Sequence, residues 1–215
     1  VAGRALARVF FYRLVRRLFR TVAVPMFRFK VVGVENVPRA GAGVVVAAHR
    51  SWLDPACVGG ACPRVVRFLI VDTVYHKRWA SWFYRMMGSI PVRPGGIGSI
   101  GALREALRTL RSGELIGIFP EGRVVRQGES SKAHPGAAML AARAGVPVIP
   151  VGIHGSAKAW PHGRALPGPA RVSVVIGAAI APPAGGSGGG VSAMTVLIEE
   201  VMAALQRRAE GSGEN

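Results

Sequence analysis

Acidic residues are scarce in this chain. Eleven stand against 28 basic ones over 215 residues, a formal net charge of +17, and none occurs before Glu35. Cysteine is scarcer still. Cys57 and Cys62 are too few for a disulfide framework, and no spaced His or Cys partners complete a zinc site. Small buried thiols in a reducing compartment are the expectation for both. No run approaches about 18 consecutive apolar residues, which excludes a transmembrane helix from the sequence. The first 30 residues do not read as a signal peptide, because Arg16, Arg17 and Arg20 interrupt the apolar stretch. Glycine and proline follow no period and no segment repeats, which excludes a fibrous or solenoid architecture.

What the chain does have is apolar. Half its residues are hydrophobic, enough for one domain with a real core and too many for a disordered chain. Of the 28 basic residues, 24 are arginine, the side chain that grips phosphate and carboxylate bidentately. Polyanionic partners follow: nucleic acid, an anionic membrane or phosphorylated small molecules.

Residues 1–30 hold eight basic residues. On a helix, Phe10, Phe11, Leu14, Val15, Leu18 and Phe19 share one half of the cylinder and Arg13, Arg16, Arg17 and Arg20 the other. Such a basic amphipathic helix suits a membrane surface; the alternative is a helix packed on its own domain with a solvated arginine face. Pro25 is expected to end it. Strand-like runs then fall at Phe29–Val34, Gly43–Ala48, Val66–Val71, Ser89–Val92, Leu115–Phe119, Pro147–Ile153 and Arg171–Ile176. Helical patterns fall at Trp79–Met87, Ser99–Arg111, Gly136–Ala144 and Val191–Arg208, and another starts with Asp54 as N-cap before Pro55. Ala184–Gly190 reads as a flexible linker, and the last residues read as loose. The alternation predicts a single α/β domain, a mostly parallel sheet flanked by helices, with residues 1–26 as a membrane-association segment and 27–210 as the domain proper.

Four short blocks could carry chemistry. His49 leaves a buried strand and Asp54 follows five residues later, so a tight loop can return the carboxylate to the imidazole and leave the other ring nitrogen as a general base. A structural His–carboxylate contact is the plain alternative. Ser51 lies too close in sequence to His49 to serve readily as a nucleophile, and no nucleophile elbow surrounds it. The other three blocks are Gly88–Arg93, with Arg93 just past a short strand; Phe119–Arg123, a turn that presents Glu121 and Arg123; and Val146–Val151, which has no ionisable group. Gly96–Gly101 fits the dinucleotide fingerprint, but the first strand-to-helix turn, where that fingerprint belongs, is already His49–Asp54. His76, His134, His154 and His162 lack metal-ligand spacing, so no metal site is expected.

In this order the four blocks resemble the glycerolipid acyltransferase family, and within it the enzymes that acylate 1-acyl-glycerol-3-phosphate. The family pattern is N-H-x-x-x-x-D, G-x-x-x-[IV]-x-R, F-P-E-G-T-R and V-P-[VI]-[IV]-P-V, and the resemblance spans about residues 27–180. It implies His49 and Asp54 as the catalytic pair, and Arg93, Glu121, Gly122 and Arg123 as binders of the acceptor's phosphate and glycerol. Pro147 and Pro150 fall on the acyl-donor side. Ala48 stands where the family often has Asn. Val124 takes the slot of the third block's arginine, with Arg123 or Arg126 as possible substitutes, so Arg93 is expected to carry more of the phosphate binding than Arg123.

The resemblance implies transfer of a fatty acyl group from acyl-CoA or acyl carrier protein to a lysophospholipid acceptor, giving phosphatidic acid, with no cofactor. The expected location is peripheral or monotopic, on the cytoplasmic face of an anionic membrane. A glycolipid sugar as acceptor, prompted by Val124, is the alternative. A non-enzymatic nucleic-acid or membrane binder would leave the His–Asp pair idle, and no nucleic-acid module is recognisable.

Overall fold

A computed structural model describes residues 2–78, 80–94, 99–125, 135–182 and 188–214. In chain order the elements are α1 (Ala2–Phe27), β1 (Lys30–Val32), β2 (Gly43–Ala47), α2 (Asp54–Ala61), β3 (Val66–Val71), α3 (Asp72–Tyr75), α4 (Ser81–Met86) and β4 (Ile90–Val92). They continue with α5 (Ile100–Arg111), β5 (Leu115–Ile118), α6 (Gly136–Ala144), β6 (Val148–His154), α7 (Ser156–Ala159), β7 (Ser173–Ile176) and α8 (Gly188–Glu214). Seven strands form one sheet in the order β1-β7-β6-β2-β5-β3-β4. Every pairing is parallel except β6 with β7.

Helices cover both faces, which is why the central strands read as unbroken apolar runs. Along β2, Val45 and Ala47 join Cys57, Val58 and Ala61 of α2 and Ala23 and Phe27 of α1 in one core. Val44 and Val46 face the opposite core, with α5, α6, and Met194 and Ile198 of α8. Pro150 sits inside β6 without breaking it. Its carbonyl accepts from Gly177 just past β7, so its missing N–H faces the same side, where the ladder is running out.

Three helices have ends that differ from expectation. Pro25 lies within α1, which runs on to Phe27. Pro25 forfeits its i→i−4 hydrogen bond, and the last turn is held instead by Phe27, which is buried and whose carbonyl accepts from Val172. Asp54 is the first residue of α2 rather than its cap: Leu53 holds the cap position, with no side-chain hydrogen bond there. The closing helix is longer than the apolar pattern showed. Gly188–Gly190, read as linker, are helical, and the end read as loose is helix through Glu214. Ala209 is fully buried, and the carbonyls of Ala209, Ser212 and Gly213 accept from Ser173, Lys30 and Arg171. The short helices α3 and α7 are too brief to show a periodicity. The rest of the expected linker, Gly96–Gly98 of the dinucleotide-like run, Arg126 and His134 lie outside the described residues.

The N-terminal helix docks by an unexpected face. Tyr12, Ala23 and Phe27 are buried and Phe19 packs against Phe29, while Arg20 donates to Gly60 O at 3.2 Å. Phe10, Leu14 and Leu18 stay exposed. The predicted apolar half is thus divided, Phe19 turning inward and its neighbours outward.

Gly117, in the middle of β5, makes room for the Phe68 ring: a Cβ there would lie 2.5 Å from the ring and 2.9 Å from Val66 Cγ1. Gly117→Ala is therefore expected to cost about 1–3 kcal/mol through overpacking, read as a lowered thermal unfolding midpoint. An unchanged midpoint would contradict this packing.

Candidate active site

The parallel strands β2, β5 and β3 end along one edge of the sheet. The chain leaves β2 toward α2 on one face and β5 toward α6 on the other, as the two cores show. A crevice opens where successive connections part in this way, just beyond the carboxyl ends of the strands. A cleft of about 600 Å³ lies there, bounded by Tyr12 and Phe19 of α1, Gly59 of α2, Ile70 of β3, Phe83 of α4 and Met139 of α6.

His49 lines this cleft directly after β2. The loop behind it closes on one atom. Asp54 Oδ2 accepts from the Arg50 and Ser51 N–H groups at 2.6 and 2.7 Å and stands 3.2 Å from His49 Nδ1. Asp54 is fully buried, and its Oδ1 has no hydrogen-bond partner among the described residues. A buried carboxylate is tolerated when charge-assisted donors surround it. With Nδ1–H donating to Asp54, His49 Nε2 keeps its lone pair, and the ring can take a proton from a hydroxyl in the cleft. The ring plane is fixed as well: it stacks on Phe119 at 4.3 Å, and Phe119 stacks on Phe68 at 5.7 Å.

Phe119 opens the turn after β5. Gly122 N–H closes that turn onto Phe119 O at 3.0 Å, and Gly122 takes a φ of +64° that favours glycine. Gly122 and Arg123 line the cleft beside Pro120 and Val124. Glu121 does not; its Oε2 accepts from the His49 N–H at 3.3 Å. Burial pushes the Glu121 carboxyl up from its ordinary value, against the pull of hydrogen bonds from its own and His49's N–H and of the nearby Arg50 and His49 charges.

The remaining candidates scatter. Arg93 follows β4, two strands away from β5 in the sheet order, and is exposed outside the cleft lining. Pro147 lies at the start of β6, where its carbonyl accepts from Val44, at the opposite edge of the sheet from His49. Pro150 is buried mid-strand. The structure does not bring either proline to the cleft. Both cysteines are buried and free, and burial pushes Cys62 up to about 12 and Cys57 well above the ordinary thiol value. Such thiols are inert at neutral pH. Sequence reasoning missed Arg16, which turns into the cleft from α1 with a buried Nε lacking a partner. Only the docking angle of the helix could have revealed it.

The class is thus an α/β domain with a His–Asp pair set on an apolar cleft at the carboxyl edge of its sheet. The acyltransferase family profile matches residues 28–154, and the chain belongs to that family. It is 26% identical over 156 residues to the chloroplastic 1-acyl-sn-glycerol-3-phosphate acyltransferase of Arabidopsis thaliana, over 71% of this chain and 44% of that protein. To the 1-acyl-sn-glycerol-3-phosphate acyltransferase of Bacillus subtilis it is 25% identical over 149 residues, 69% of this chain and 71% of the relative. The crystal structure of the 1-acyl-sn-glycerophosphate acyltransferase from Thermotoga maritima superposes with a TM-score of 0.78 at 25% identity, over 97% of this chain and 82% of that one. The match therefore spans less than half the length of the chloroplast relative.

Ser51 has a structural part in this site. It is buried, its hydroxyl donates to Trp160 O at 3.1 Å, and it accepts from Leu53 N–H at 3.2 Å. Ser51→Ala strands both partners, so a stability loss of about 1–3 kcal/mol is expected with turnover kept within about tenfold. A fall of about 10³ or more in turnover, with the fold intact by circular dichroism, would make Ser51 the nucleophile instead.

Proposed function

We propose that this chain transfers a fatty acyl group from a thioester donor, acyl-CoA or acyl carrier protein, to the free hydroxyl of 1-acyl-glycerol-3-phosphate, giving phosphatidic acid. The observation that carries the reading is the His49–Asp54 pair facing an apolar cleft with Arg123 on its wall. The acceptor hydroxyl is a weak nucleophile until His49 Nε2 takes its proton. Its oxygen then adds to the thioester carbonyl, the tetrahedral intermediate collapses with cleavage of the C–S bond, and the imidazolium returns the proton to the departing sulfur. Asp54 holds the ring and compensates the imidazolium charge in between. The apolar cleft suits an acyl chain, and the substrate hydroxyl makes an acyl-enzyme unnecessary.

For the acceptor's phosphate, Arg123 is the better placed of the two expected arginines, since Arg93 lies outside the cleft. Val124 in the family's arginine slot favours one second reading, in which the acceptor is another hydroxyl lipid such as a glycolipid.

The membrane part of the proposal rests on α1. Its exposed face carries Leu6, Phe10, Leu14, Leu18 and Val22, one every four residues, with Phe10 72% exposed. Residues four apart form a ridge along a helix. Exposed Trp82 stands beside Phe11, and Arg13 and Arg17 are exposed on one flank of the ridge. A ridge of this kind enters the acyl layer while its arginines meet anionic headgroups. Among the described residues no helix is long and apolar enough to cross a membrane. The reading puts the chain on the cytoplasmic face, where two free thiols stay reduced.

Thiol release from acyl-CoA, with and without 1-acyl-glycerol-3-phosphate, tests the chemistry. His49→Ala and Asp54→Asn are each expected to lower acceptor-dependent turnover by about 10²–10⁴-fold. Retention of a tenth of wild-type turnover by His49→Ala would refute the base assignment. Arg123→Ala should raise the acceptor KM more than Arg93→Ala does; efficient acylation of an acceptor without phosphate supports the glycolipid reading instead. For the membrane, Phe10→Asp combined with Leu14→Asp is expected to abolish flotation with anionic liposomes, and undiminished flotation contradicts the ridge.

A further inference from the structure

The third block was expected to bind the acceptor through Glu121, yet the geometry gives that carboxylate another partner. The turn after β5 puts Pro120, Gly122 and Arg123 on the cleft wall and leaves Glu121 out of it. Glu121 Oε2 accepts from the backbone N–H of His49 at 3.3 Å. Four residues on, the backbone N–H of Val125 donates to the carbonyl of His49 at 2.7 Å. Phe119, from the same turn, stacks on the imidazole. One short segment, residues 119–125, thus grips the main chain of His49 on both sides and its ring on one face. Asp54 holds Nδ1 and the N–H groups of the next two residues, but no contact of Asp54 reaches the N–H or carbonyl of His49.

From this geometry we infer that Glu121 is a positioning residue: it fixes the backbone of His49, and through it the aim of Nε2, rather than contacting the acceptor. The inference rests on the reading of His49 as the general base. Residue 49 leaves the end of β2, where the ladder no longer constrains it, and its N–H needs a partner once turned away from water. A carboxylate meets that need more strongly than a neutral acceptor. The groups facing it, Arg50 and His49, only partly offset the cost of its burial. The neighbouring positions fit the same role. Gly122 allows the tight turn, and Val125 is buried directly after it.

A split between kcat and KM separates the two roles, because a binder of ground-state acceptor acts on KM and a residue that aims the base acts on kcat. Glu121→Ala and Glu121→Leu are measured with 1-acyl-glycerol-3-phosphate and acyl-CoA, alongside Glu121→Gln, whose amide oxygen can still accept from the His49 N–H. The expected result is a fall of about 10²-fold in kcat for Ala and Leu, both KM values within about threefold, and recovery by Gln to within about tenfold of wild type. An acceptor KM raised about tenfold or more with kcat preserved, or a Gln variant as impaired as Ala, overturns the inference. If the Ala and Leu chains fail to fold, the Gln variant decides by the same criteria. His49→Ala runs in the same assay. An inactive His49→Ala beside a KM effect at Glu121 rejects the positioning role alone. An active His49→Ala rejects the base assignment and the positioning role with it.

Discussion

One oxygen atom organises the loop between β2 and α2. Asp54 Oδ2 collects two backbone N–H groups and faces the imidazole of His49, and it does so from the first turn of α2, fully out of water. Four residues separate the histidine from the aspartate, a connection short enough to return the carboxylate to the start of the loop. The same contacts that satisfy the carboxylate define the loop, so the site and the β2–α2 connection cannot be altered separately. Removing the carboxylate would leave the N–H groups of Arg50 and Ser51 unpaired as well as the ring unsupported, at a cost of about 1–3 kcal/mol for the buried Ser51 N–H alone.

Around this loop the parallel sheet does the assembly. β2 and β5 are neighbours whose connections leave toward opposite faces, and the gap between the connections becomes the cleft. The β5 turn crosses that gap to grip His49, and the stack of His49 on Phe119 on Phe68 ties it to β3. The N-terminal helix then closes one side of the cleft, with Tyr12, Arg16 and Phe19 in its wall. One helix therefore serves two environments: an inner face that shapes the apolar cleft, and an outer apolar ridge.

Much of this was legible in the sequence because the signals are local. All seven strands fall where short β-branched runs lie between turn residues, and the His–Asp loop follows from its spacing and its place after a buried strand. What depends on packing was not legible. The rotation of α1 was hidden because Phe, Leu and Val fill a whole half of its circumference, so periodicity could not tell the docked part from the exposed part. The ends of α8 were hidden because its tail is held by hydrogen bonds to Lys30, Ser173 and Arg171 rather than by its own apolar pattern. Arg93 and Arg123 both follow strand ends, and only the strand order separates them by two positions. Glu121 sits in a conspicuous motif, and nothing in its spacing shows that its side chain turns to the His49 N–H, just past β2, instead of to the cleft.

The proposed chemistry needs one proton in one place: at a pH where the ring is neutral, it must sit on His49 Nδ1, toward Asp54, to leave Nε2 free to accept. Nitrogen-15 chemical shifts of the labelled His49 side chain, measured on the intact chain in detergent or lipid, test it directly. A protonated Nδ1 and an unprotonated Nε2 are expected in the wild type, with this preference lost in Asp54→Asn. A wild-type ring with its proton on Nε2 would contradict the account, because that nitrogen could not then act as the base.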